Sequence, residues 1–118
     1  VPFQPDPAPV FRALDLVVHA STRPEPFGRT IAEAMASERA LIVSRAGGAA
    51  ELFSEGIDAL GVTPGKPSEL AAALARLISD PALRGRLGAQ AGVHARRRFD
   101  RVRLGREVAA VYAAYRRP

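Results

Sequence analysis

Two carboxylates, Glu25 and Glu33, stand eight positions apart in the stretch Ser21-Thr22-Arg23-Pro24-Glu25-Pro26-Phe27-Gly28-Arg29-Thr30-Ile31-Ala32-Glu33-Ala34-Met35-Ala36. Pro24, Pro26 and Gly28 shape a loop, and helical periodicity sets in near Gly28 or Arg29. The first turn of a helix has backbone N–H groups without partners and the positive end of the helix dipole, so this loop is a natural anion site. Gly28, having no Cβ, lets the backbone come close to a phosphate or a sugar. At about 100° per residue Glu33 falls opposite Ile31 and on a stripe with Thr30 and Ser37, away from the apolar face of Ile31, Ala34 and Met35. Taken alone, Glu33 would only complement the helix N-terminus, worth ~0.3–1 kcal/mol. Glu25 alone would be an ordinary loop carboxylate.

The elements around this loop decide where it sits. Leu16-Val17-Val18-His19 and Leu41-Ile42-Val43 are short, continuous apolar runs rich in β-branched residues. Strands covered on both faces of a parallel sheet read in this way. Ala59-Leu60-Gly61-Val62 is a weaker third run, and Val1–Gln4 a possible strand stub. Helical patterns over about 8–14 and 29–37, with a short one at 49–55, separate the runs. The order β-α-β-α-β predicts an α/β layered parallel sheet with right-handed crossovers. The Glu25 loop then lies at the carboxyl edge of a strand, where open α/β sheets bind ligands.

From Pro67 on the pattern is purely helical. Pro67-Ser68 opens a helix whose apolar stripe is Leu70, Ala73, Leu74, Leu77 and Ile78; Pro81 opens another running to about Arg98. Asp100 is placed to cap a last helix with Leu104, Val108, Val111, Tyr112 and Tyr115 on one face, read as core. Residues 1–118 thus form one partial domain: an alternating part, 1–66, carrying the site, and C-terminal helices, 67–118.

The string Glu-Pro-Phe-Gly-Arg-Thr-Ile-Ala-Glu-Ala-Met-Ala from Glu25 to Ala36 resembles the Glu-x(7)-Glu signature of retaining GT-B glycosyltransferases, glycosyltransferase family 4 in particular. The resemblance continues through Asp15–Ser21, the Gly-Gly-x-x-Glu turn of Ser44–Leu52, the Gly61–Gly65 loop and Arg98-Phe99-Asp100. It implies a Rossmann-like C-terminal donor-binding domain, ending in helices, in a two-domain enzyme of carbohydrate biosynthesis. The donor would be a nucleotide diphosphate sugar, with no metal and no further cofactor. Glu33 would accept hydrogen bonds from the ribose hydroxyls. Glu25, the catalytic residue, would hold the hydroxyls of the transferred sugar and stabilise charge near the reacting carbon. Backbone amides of Phe27, Gly28, Arg29 and Thr30 would contact sugar and diphosphate, while Gly47 and Gly48 keep a neighbouring loop close. The acceptor-binding domain, and an Arg and a Lys that grip the diphosphate, would lie upstream; Arg23 and Arg29 do not match that role. Alone, the segment is expected to be inactive. Its last helix would dock on the upstream half, or self-associate through exposed apolar surface.

The sequence departs from the family where Gly and Pro are usual after Ala36: Glu38 and Ala40 stand there, which alters the helix end more than the chemistry. Gly61–Ser68 imitates a phosphate loop, but it has three residues between its glycines and Pro67 where Ser or Thr should stand. His19 and His94 lack clustered partners, which excludes a metal site or hydrolytic triad; His19 reads as strand-end packing.

Composition sets the outer bounds. The chain has no cysteine, which excludes disulfides and thiolate catalysis and fits a reducing compartment. No apolar run approaches the roughly 18 residues of a membrane span. With no initiator Met and no signal-like start, the sequence reads as a cytoplasmic segment of a longer chain, with a place at the inner face of a membrane open to it. Its charge is lopsided: residues 1–75 carry 6 basic and 9 acidic side chains, residues 76–118 carry 11 basic and 3 acidic. That tail admits an Arg-rich binder of anionic surfaces, and the transferase reading is compatible with a membrane-surface acceptor lipid; the remaining alternative is a nucleotide-binding or interaction module without chemistry. Nucleic acid is not favoured, since no aromatics interleave the arginines as a base-stacking surface requires.

Overall fold

The computed structural model describes residues 4–116, so the strand stub expected at Val1–Gln4 falls, but for Gln4, outside the described residues. Strands β1 (Leu16–His19), β2 (Ala40–Ser44) and β3 (Leu60–Val62) pair in parallel in the order β1-β2-β3. Val17 lies beside Leu41, and Val43 beside Gly61. Helices α1 (Ala8–Ala13) and α2 (Arg29–Ala36) flank β1; α3 (Pro67–Ser79), α4 (Pro81–Arg98) and α5 (Arg101–Tyr115) follow β3. The expected α/β parallel sheet, ending in helices, is the observed one.

β2 is the centre of the core because it is covered on both sides. Leu41 and Val43 join Val17, Ile31, Met35 and Ala91 in one apolar cluster. Ala40 and Ile42 point the other way, into Leu60, Val62, Leu77 and Leu87. The alternation of a strand sends neighbours to opposite faces, so a strand with two covered faces must be apolar throughout. α2 buries Ile31, Ala34 and Met35, the face its periodicity predicted. α3 buries Leu77, but Ile78 is exposed, so it does not belong to the stripe expected of it. Asp80 and Asp100 cap α4 and α5, accepting hydrogen bonds from the amides of Leu83 (2.8 Å) and Val102 (3.1 Å). The short helix expected at 49–55 is only a 3₁₀ turn, Gly48–Glu51, because the Asp58 side chain takes the Ser54 amide at 2.7 Å and starts a loop there.

The end of α2 keeps a glycine's geometry without a glycine. Glu38 has φ 57°, the left-handed region. The Arg39 amide donates to the Ala34 carbonyl (3.1 Å) and the Glu38 amide to Met35 (3.0 Å), the paired bonds of a Schellman ending. α4 leans on this turn through two glycines. A Cβ on Gly88 would overlap the Glu38 carbonyl oxygen, and one on Gly92 would lie 2.5 Å from the Glu38 Cγ. The exposed Arg96–Glu38 ion pair (2.8 Å) adds little by comparison. Glu38→Gly should therefore stabilise the fold by about 0.5–1 kcal/mol, seen as a rise of about 2–5 °C in melting temperature.

α5 corrects the reading of its apolar stripe as core. No residue of α5 is buried, and Tyr112 and Tyr115 are 73% and 82% exposed. Periodicity identifies an apolar face; it does not supply the surface that covers it.

Candidate functional site

The loop from Ala20 to Gly28 crosses from the carboxyl end of β1 to the start of α2, and the turn after β2 supports it from below. Glu25 forms an isolated parallel bridge with Gly47, and the Gly48 amide donates to the Glu25 carbonyl at 2.7 Å. Both glycines are required by space. A Cβ on Gly47, itself at φ 58°, would lie 2.6 Å from the Glu25 carbonyl oxygen, and one on Gly48 would overlap that of Pro26.

Gly28 is the N-cap of α2 at φ 97°, and no side chain caps the helix. Its carbonyl accepts from Ile31 (3.0 Å), so the turn closes behind it. Among the described residues the amides of Phe27, Gly28, Arg29 and Thr30 have no hydrogen-bond partner. A run of unpartnered amides at the positive end of a helix dipole attracts an anion.

Glu33 emerges on the solvent side of α2, where its Oε1 accepts from the Arg29 Nε at 2.8 Å. Arg29 is largely exposed and Glu33 half-buried, so the pair is a surface clasp of modest strength. Glu33, Arg29, Phe27 and Gly48 line a cavity of about 670 Å³. Its far wall is the junction of α4 and α5, with Arg98, Phe99 and Arg103. Glu25, Gly28, Thr30 and Gly47 do not line it. Glu25 instead turns back toward the sheet, with its Oε1 3.0 Å from the Nε2 of His19. The structure thus brings Phe27, Arg29, Glu33 and Gly48 to one cavity, while Glu25 lies outside its lining and against His19.

Several neighbours of the site carry no sequence signal. His19, read as packing, is buried and also lies against the Glu25 carboxylate. Buried Asp58 lies 2.5 Å from the Nδ1 of His94, whose ring stacks on Phe99 at 6.0 Å between centroids. Phe99 in turn meets Phe27 edge to face at 6.0 Å. A chain of contacts thus runs from a buried carboxylate to the cavity wall. Arg98 Nη1 donates to the Glu51 carbonyl (2.6 Å) and Arg103 Nη2 to the Arg98 carbonyl (2.6 Å), which seats the α4–α5 junction beside the 3₁₀ turn. Arg98-Phe99-Asp100 was the one available signal for this wall, and it read only as a helix start. The loop after β3 is held by Glu69, which accepts from the Thr63 amide at 2.7 Å. Hydrogen bonds from the amide and the hydroxyl of Thr63 keep this carboxyl below its usual range.

Residues 1–93 match the protein family described as glycosyl transferases group 1. The chain is 41% identical over 105 residues to the lipopolysaccharide core biosynthesis mannosyltransferase LpcC of Rhizobium leguminosarum bv. viciae, covering 89% of this chain and 29% of that protein. Among solved structures it superposes on Anabaena Alr3699/HepE in complex with UDP with a TM-score of 0.87, at 37% identity, covering 89% of this chain and 29% of HepE. HepE has also been solved in complex with UDP-glucose. The C-terminal domain of a glycosyl transferase group 1 protein (LpcC) from Francisella tularensis matches with a TM-score of 0.75 and 32% identity, over 86% of this chain and 53% of that domain. The chain therefore spans about a third or less of the Rhizobium protein and of HepE.

Proposed function

We propose, from the premise that this chain belongs to the glycosyl transferases group 1 family, that it supplies the donor-binding portion of a retaining, family 4 sugar transferase. The observation that carries this reading is the run of unpartnered amides, Phe27 to Thr30, set between the carboxylates of Glu25 and Glu33 and beside an open cavity. The reaction breaks the bond between the anomeric carbon and the diphosphate and forms one from that carbon to an acceptor hydroxyl. The nucleoside diphosphate leaves with the bonding electrons, and the hydroxyl proton passes out with it.

In this reading the amides receive the negative charge that grows on the leaving diphosphate, already oriented before the reaction begins. Glu33 takes the ribose hydroxyls, with its Oε2 outside the Arg29 clasp. Glu25 faces the sugar and balances positive charge at the anomeric carbon. No metal is needed where amides and cations share the diphosphate charge; an Arg and a Lys from upstream residues supply the strongest cations, and the acceptor-binding domain lies upstream of them. The uncovered apolar face of α5 is where that domain docks.

HepE's complexes with UDP and UDP-glucose make these two the first probes. In the intact enzyme carrying this sequence, Glu33→Ala should weaken UDP binding about 10- to 100-fold, the worth of one or two hydrogen bonds to a charged acceptor. Calorimetry on folded protein decides it: unchanged UDP affinity removes Glu33 from the ribose site. If neither UDP nor another nucleoside diphosphate binds the parent enzyme, the donor reading as a whole fails.

A further inference from the structure

We infer that His19 is a positioning residue for Glu25, holding the carboxylate through the close approach of its Nε2 rather than serving as core packing. The inference rests on the reading of Glu25 given above. His19 closes β1, where its backbone pairs in register with Val43, so the ring springs from one of the most constrained positions in the fold. Its side chain is 9% exposed, and its Nε2 lies 3.0 Å from the Glu25 Oε1. Its other nitrogen, Nδ1, is buried without a hydrogen-bond partner. A buried ring nitrogen without a partner is costly, so the ring depends on Nε2 for its polar contact. The carboxylate is thus the one polar contact of the ring. Leu16, Val17 and Val18 precede it in the strand, and another aliphatic side chain there would fill the space with no nitrogen stranded.

Glu25 is in the opposite situation. Its side chain is partly exposed and sits on a loop, with three rotatable bonds and no other side-chain contact among the described residues. Gly47 and Gly48 fix its main chain through the bridge and the 2.7 Å amide bond. His19 supplies the second anchor, at the far end of the side chain. Oε2 has no partner among the described residues. A carboxylate held by a stiff ring meets the donor sugar without first losing rotamer freedom, which is the advantage of a preorganised site.

The test uses the intact enzyme and four variants: His19→Leu, His19→Gln, Glu25→Gln and the double variant His19→Leu/Glu25→Gln. Leucine fills the ring's space without an N–H; glutamine restores a donor near the place of Nε2. For each, kcat and the donor KM are measured beside a thermal melt. We expect His19→Leu to lower kcat about tenfold or more, with donor KM within about twofold. His19→Gln should recover most of that loss. In the Glu25→Gln background His19→Leu should cost nothing further, because the two act as one unit. Should His19→Leu fail to fold, His19→Asn, whose amide falls short of Glu25, carries the same expectation. If Glu25→Gln is slow while His19→Leu is as fast as the parent, or if its cost persists undiminished in the double variant, positioning is overturned and the role of Glu25 stands. If Glu25→Gln itself is as fast as the parent, the reading of Glu25 falls and the inference with it.

Discussion

Glu25→Gln in the intact enzyme is expected to lower kcat by about 10²–10³-fold while leaving nucleoside diphosphate affinity almost unchanged. The substitution keeps the shape of the side chain, and its carbonyl oxygen can take the place of the Oε1 that lies 3.0 Å from the His19 Nε2. Only the charge is removed. Positive charge on the sugar peaks when the bond to the diphosphate is breaking, so a fixed carboxylate favours the transition state over the bound donor. The loss of one such preorganised partner costs about 10²–10³-fold in kcat. On the proposed reading it should not exceed that, because the amides of Phe27 to Thr30, unpartnered among the described residues, would continue to serve the leaving group. The affinity half of the prediction follows from position: Glu25 does not line the cavity to which Glu33 belongs. A kcat within tenfold of the parent, at saturating donor, would remove Glu25 from the chemistry.

Gly48→Ala should be nearly as damaging by a different route. The new methyl would overlap the Pro26 carbonyl oxygen and lie 3.2 Å from the Phe27 Cα, so main chain, not a pliable side-chain end, must yield. The loop can move away only by giving up the 2.7 Å bond from the Gly48 amide to Glu25. Overpacking of this kind costs about 1–3 kcal/mol, or roughly 4–15 °C in melting temperature for a chain of this size. Pro26 and Phe27 line the cavity, so the displaced loop should also weaken UDP binding at least about tenfold. Gly85→Ala is the control. A Cβ there meets nothing within 4 Å, and alanine in the body of α4 should stabilise the helix by about 0.5–1 kcal/mol. If Gly48→Ala melts with the parent and binds UDP normally, the tight seat of this loop is of no consequence to the site.

Much of this was legible in the sequence because it depends on neighbours along the chain. β1 and β2 announced themselves as unbroken apolar runs, since strands with two covered faces have no polar face to show. The inward face of α2 followed from the spacing of Ile31, Ala34 and Met35. Glu25 and Glu33 were singled out by resemblance to a family signature; by spacing alone they would have stayed ordinary surface carboxylates. What stayed hidden depends on pairs far apart in the chain. Asp58 and His94 are 36 residues apart and meet only because α4 crosses the loop before β3. His19 and Glu25 are close in sequence, yet no periodicity rule links a strand end to a loop side chain. The last helix misled for a third reason. Its stripe is genuine, but whether a stripe is covered depends on a surface that lies outside the stripe itself.

The contact between α4 and the turn at Glu38 has a mechanical consequence. Gly88 rests on main chain and acts as a fulcrum, while Phe99 lies eleven residues further on, about 16 Å along the axis. A helix is stiff over that length. A tilt of a few degrees at the fulcrum therefore swings its far end by about an ångström. That end holds the ring that abuts Phe27. Single methyl groups added at Gly88 or Gly92, remote from every carboxylate of the site, would thus be felt as a change in the shape of the cavity.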